Sequence, residues 1–103
     1  MISEITSADA FKSAIASDKL TVVDFFATWC GPCKAIAPVV DKMSEEFTDA
    51  VFIKVDVDQL GDIAAEYGVR AMPTFMLFKN GEKIETVVGA NPMGLKKAIK
   101  EKL

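Results

Sequence analysis

Histidine is absent from the 103 residues, and there are only two cysteines and one tryptophan. A structural zinc site normally takes four His, Cys or carboxylate ligands, so two thiols without histidine make a resident metal unexpected. Positive charge is also short, with 12 Lys and Arg against 15 Asp and Glu and a net charge of −3. Nucleic acid and anionic lipid would therefore meet no basic footprint, and neither is expected as a partner. No apolar run approaches the roughly 18 residues of a membrane span. The opening MISEITSADAF has no basic segment followed by an apolar stretch, and the closing IKEKL is neither a prenylation box nor a retention signal. These absences predict a soluble protein of a reducing compartment, the cytosol first, with no membrane contact. Repeats, low-complexity stretches and linkers are missing too, so residues 1–103 are expected to form a single domain.

What is present is an ordinary globular composition, half apolar and about a quarter charged. Along the chain, a short strand near Ile2 to Ile5 is followed by a helix capped by Ser7, with Ala8, Phe11, Ala14 and Ile15 on one face. LTVVDFFA, residues 20–27, is apolar, β-branched and aromatic almost throughout, as a strand covered on both faces should be. From Gly31 to Phe47 the spacing turns helical, with Pro32 suited to the first turn and Pro38 expected to kink the middle. VFIKVDV, residues 51–57, reads as a second buried strand. Asp58 is placed as the cap of a short helix carrying Leu60, Ile63, Ala64 and Tyr67 and ending at Gly68. Two antiparallel strands, Thr74 to Phe78 and Lys83 to Val88, flank Asn80-Gly81, the preferred dipeptide of a type I′ hairpin. Asn91 and Pro92 open a last helix with Leu95, Ala98, Ile99 and Leu103 on its apolar face. The predicted fold class is α/β, a central mixed sheet of four to five strands flanked by helices on both faces.

WCGPC, residues 29–33, stands where a strand hands over to a helix. Residues three apart in a helix rise about 4.5 Å, which brings Cys30 and Cys33 within disulfide range. Gly31 leaves the turn uncovered, and Pro32 stiffens it without losing a needed hydrogen bond. Unpaired amides at the helix start favour a thiolate at Cys30, making it the nucleophile. Cys33, a turn deeper, is expected to be more covered and to stay protonated until a disulfide must be resolved. A reactive redox pair is favoured over an inert staple, because a four-residue loop gains little from closure and a reducing compartment would open it.

Four other positions carry two readings each. Asp24 interrupts an apolar strand: burial would raise its pKa, whereas at a strand edge it would be an ordinary solvated carboxylate. Lys54 is either a charge near Asp24 or a lysine whose stem crosses apolar surface to reach water. X-Pro bonds are mostly trans, so Met72-Pro73 taken alone predicts an ordinary turn. Trp29 could belong to a core or to an exposed rim. The acids of DVDQ and the lysines of KKAIKEK read as caps and solvated faces.

VVDFFATWCGPCK, KVDVD, AMPTFMLFKNGE and VVGANP, at these intervals, resemble the thioredoxin family over essentially the whole chain, its cytosolic fungal and other eukaryotic members above all. Phe26 departs from the tryptophan that many members carry there. The resemblance implies the thioredoxin fold and a protein-disulfide reductase in which Cys30 attacks and Cys33 resolves. It further implies that Asp24 accepts the Cys33 proton, that Lys54 is accessory, and that a cis bond precedes Pro73. Trp29, Met72, Pro73, Val88, Gly89 and Ala90 would hold the substrate chain. No bound cofactor is implied, since the cysteine pair is the redox centre. The implied partners are thioredoxin reductase with NADPH, and clients such as peroxiredoxins, ribonucleotide reductase and methionine sulfoxide reductases. A cytoplasmic monomer is expected, and a nuclear pool is compatible with it. An oxidising or isomerising domain is disfavoured by Gly-Pro between the cysteines and by the missing histidine. The alternative of another class is a non-catalytic binding subunit of a larger assembly, using the same apolar surface.

Overall fold

The computed structural model describes residues 2–103. Its elements run β1 (Ser3–Ile5), α1 (Ala8–Ile15), β2 (Thr21–Phe26), α2 (Gly31–Glu46), β3 (Val51–Asp56), α3 (Gly61–Glu66), β4 (Thr74–Lys79), β5 (Glu82–Val88) and α4 (Pro92–Lys102). The five strands form one sheet in the order β1-β3-β2-β4-β5. β1, β3 and β2 are parallel, and β4 and β5 run antiparallel to their neighbours. The apolar run of β2 is accounted for by its central place, paired on both edges and covered on both faces.

Strand alternation sorts β2 between two cores. Val22 packs with Ile36, Val40 and Met43 of α2 and with Leu95 and Ile99 of α4. Val23 and Phe25 pack on the other face with Phe11 and Ile15 of α1 and Ile63 of α3. Each such side chain, once fully buried, contributes about 1.5–3 kcal/mol. Asp24 takes the parity of Val22, so its carboxylate is directed to the α2 face.

Local signals explain the element ends. Ser7 Oγ accepts the Ala10 amide at 3.1 Å, and Asn91 Oδ1 accepts the Gly94 amide at 3.0 Å. The hairpin turn has positive φ at both Asn80 (55°) and Gly81 (81°), as a type I′ turn requires. Helix α2 runs through Pro38, which lies on its exposed side. Two expectations are corrected. Asp58 does not cap α3: the helix begins at Gly61 with Leu60 at its N-cap position and no side-chain cap bond. Leu103 does not join the apolar face of α4, because it follows the last helical turn and is exposed.

Candidate active site

The carboxyl ends of parallel strands β2 and β3 meet the start of β4 at one end of the sheet, where crevices of α/β proteins form. From β2 the chain passes through Ala27, Thr28 and Trp29 into α2. Cys30 is the N-cap residue of that helix, with an extended backbone (φ −85°, ψ 111°), and its Sγ accepts the Cys33 amide at 3.1 Å. A sulfur takes the place that a serine or aspartate oxygen usually fills at a helix start. The amide and the aligned peptide dipoles behind it favour negative charge on that sulfur.

Cys30 and Cys33 form a disulfide with Cα atoms 5.3 Å apart. The two residues are almost equally covered, at 5% and 6% exposure. The expected difference in burial is therefore absent: the two cysteines and Ala27 form one cluster, against which Phe26, Val57 and Met72 pack. Their partners differ instead. Cys30 Sγ lies 3.5 Å from the Met72 carbonyl oxygen, whereas Cys33 lines a cleft of about 300 Å³ together with Asp24, Phe26, Lys34, Ala37 and Lys54. Gly31 and Pro32 sit exposed on the turn between them.

Asp24 is 9% exposed, and its Oδ1 is buried without a hydrogen-bond partner among the described residues. Desolvation raises its pKa from an ordinary 3.8 to about 6, against the opposing pull of the Lys54 charge. Asp24 and Lys54 are register partners on β2 and β3. Lys54 is half-buried, with Nζ 5.4 Å from the centroid of the Phe26 ring. The Lys54 charge lies near enough to pull the Asp24 pKa down against desolvation, while its Nζ stays over the Phe26 ring.

The Met72–Pro73 peptide bond is cis, contrary to what Pro frequency alone predicts. Pro73 is buried beside the disulfide segment, and its carbonyl accepts the Gly89 amide at 2.8 Å. Gly89 has φ +91°, a conformation that favours glycine. Trp29 is 66% exposed, which decides between core and rim, and Val88 and Ala90 are exposed as well. One contact was missed from the sequence: the Trp29 indole N–H donates to Asp58 Oδ2 at 2.9 Å. In turn, Asp56 Oδ1 accepts the Asp58 amide at 2.9 Å. No periodicity points to a partnership across 29 residues. Among the described residues no group of three or more His, Cys, Asp or Glu could hold a metal ion, and no helix is long and apolar enough to cross a membrane.

A family model described as Thioredoxin matches residues 2–101. The chain is 61% identical over 103 residues to Thioredoxin-1 of Schizosaccharomyces pombe, covering all of both chains. The structure of Plasmodium falciparum thioredoxin superposes with a TM-score of 0.94 at 44% identity, covering 98% of this chain and 99% of that one. A chain from a structural study of thiol resolution in a yeast mitochondrial 1-Cys peroxiredoxin via glutathione/thioredoxin systems gives 0.92 at 44% identity, covering 97% and 94%. With the Cys30–Cys33 disulfide at the head of α2, these matches show that the chain belongs to the thioredoxin family, has its fold, and is a protein-disulfide reductase whose redox centre is its own cysteine pair.

Proposed function

We propose that this chain acts as a single domain and a monomer, as a general disulfide reductase of the cytosol, supplied with electrons by thioredoxin reductase and NADPH. The observation that carries the residue roles is the Cys33 amide donating to Cys30 Sγ at 3.1 Å, which singles out Cys30 as the sulfur best able to bear charge. The Cys30 thiolate attacks one sulfur of a client disulfide, forming a mixed disulfide and expelling the client's other sulfur as a thiolate. Cys33 gives its proton to Asp24 across their shared cleft and attacks Cys30 Sγ. The mixed disulfide breaks, the client's second thiolate leaves, and two electrons have passed from the Cys30/Cys33 dithiol to the client. Lys54 assists by keeping Asp24 ionised when the proton must be taken. Trp29, Val88, Gly89 and Ala90 frame the client chain, with the Met72 backbone available to pair with it beside Pro73. Peroxiredoxins, ribonucleotide reductase and methionine sulfoxide reductases are the clients proposed. For the first of these, the neighbour from the peroxiredoxin study gives support.

NADPH consumption with a thioredoxin reductase and insulin tests this reading. Rapid turnover by the wild type supports it, and an intact, folded protein that leaves insulin oxidised overturns it. Exposed Trp29 and Val88 also suit a binding subunit. That role would survive in a Cys30→Ser, Cys33→Ser protein, whereas reductase activity would not.

A further inference from the structure

Away from the disulfide, α2 and α4 lie side by side on one face of the sheet. Between them runs a shallow groove of about 260 Å³, floored by Val39, Met43, Pro92 and Met93 and edged by Lys42 and Lys96. Met93 is 84% exposed, the highest value among the described large apolar residues, and Val39 is exposed beside it. Lys97 and Lys100 continue the basic edge along the outer side of α4, where Glu101 also lies. Lys96 pairs with Glu46 at 3.2 Å across the groove, which ties the helices together and occupies one of its carboxylates.

Charge makes this face unlike the rest of the molecule. The groove and the outer side of α4 hold four lysines against two glutamates, a local +2 in a chain of net −3, so the rest of the chain carries −5. An apolar floor between lysines on an otherwise acidic protein fits one kind of ligand, a segment with apolar and acidic side chains on opposite sides. Basic segments would be repelled by this face and drawn instead to the acidic remainder of the molecule.

The position links this face to the redox end. Met93 follows Gly89 by four residues, and Val39 follows Cys30 by nine along α2, or about 13 Å at 1.5 Å per residue. An extended client strand reaches that far in about four residues.

We propose that the α2/α4 groove is a second docking surface for disulfide clients, taking an acidic amphipathic segment that lies about four residues from the cysteine under attack. The inference rests on the reductase reading and adds a selection rule to it. Tethering at the groove raises the local concentration of the client disulfide at Cys30 without altering the exchange step. The groove therefore acts on KM and leaves kcat unchanged.

The test uses two peptides with the same disulfide ring and a four-residue spacer, one ending in an acidic amphipathic segment and the other in the same segment with amides replacing its carboxylates. For the wild type, the acidic peptide should show a KM about fivefold lower at equal kcat, with the advantage fading in about 0.5 M salt. In a Lys97→Glu, Lys100→Glu protein the preference should vanish or invert while insulin reduction stays unchanged. Equal KM values for the two peptides, or a preference that the double variant keeps, would overturn the docking surface while leaving the reductase reading intact. A dimer in sedimentation that Met93→Lys dissolves, together with equal KM values, would assign the groove to a second copy and also overturn it. If neither insulin nor either peptide is reduced, the reductase reading fails and takes this inference with it.

Discussion

The Trp29 indole N–H donates to Asp58 Oδ2 at 2.9 Å, fixing the only tryptophan of the chain to the end of β3 beside the disulfide. A large ring that is two-thirds exposed would otherwise sample several rotamers. Because the hydrogen bond orients the ring before a client arrives, less side-chain freedom remains to be lost on binding.

Asp58→Ala should therefore raise the KM for a protein disulfide about three- to tenfold, the range of one modest hydrogen bond, with little change in kcat. Asp58→Asn keeps an acceptor oxygen and should recover most of the loss. Fluorescence anisotropy reads the ring directly, as no other tryptophan contributes. Unchanged anisotropy in the alanine variant would remove Asp58 from any positioning role.

Asp24 makes stability depend on pH with a definite sign. Its folded pKa, raised to about 6 from 3.8 by burial, means that its contribution to the disulfide form is fully present below about pH 3.8 and is lost as pH rises through about 6. The shift corresponds to about 3 kcal/mol at most. Asp24→Asn should then be the more stable protein at pH 8 by up to that amount, with the gap closing towards pH 4, and slower in reducing insulin. Denaturant midpoints at the two pH values check the first part. A variant as fast as wild type would end the proton-acceptor role.

Cys33→Ser should accumulate a mixed disulfide through Cys30 when given an oxidised client, visible by mass spectrometry as a covalent adduct. Cys30→Ser should form none at comparable rate, because the sulfur receiving the helix-start amide is gone. Adducts at Cys33 would reverse the assigned order of attack.

Gly89→Ala should destabilise the fold by about 1–3 kcal/mol, the range for a non-glycine residue held at an unfavourable positive φ. A Cβ at Gly89 would meet nothing within 4 Å, so the cost comes from backbone conformation at φ +91° and not from collision. The Gly89 amide bond to the Pro73 carbonyl should weaken with it, raising the KM for protein substrates. Urea unfolding and insulin kinetics measure the two effects, and a neutral substitution would show that the loop has other conformations at hand.

Much of the molecule was legible in the residue order, because the signals concerned are local. LTVVDFFA had to be a central strand, since a run without polar alternation needs cover on both faces. Asn80-Gly81 specified its turn through the φ values that those residues tolerate, and Ser7 and Asn91 specified helix starts through their side-chain oxygens. Cys30 and Cys33 were readable as an active pair because three residues of helix fix their separation whatever else the chain does.

Tertiary structure decided what depends on distant segments. The Met72 carbonyl, 42 residues away in sequence, comes to lie against Cys30 Sγ, and the two cysteines end up almost equally buried. The Met72–Pro73 bond is cis, an isomer that the sequence frequency of X-Pro bonds does not single out. Asp58 looked like a helix cap, as a short acid before a helix should, and became the anchor of Trp29 only because β2 and β3 end side by side. The sequence determined the elements and the reactive pair through short-range sterics and hydrogen bonding. The fold alone determined which groups face that pair, because such contacts depend on strand register and helix placement, and no local pattern records them.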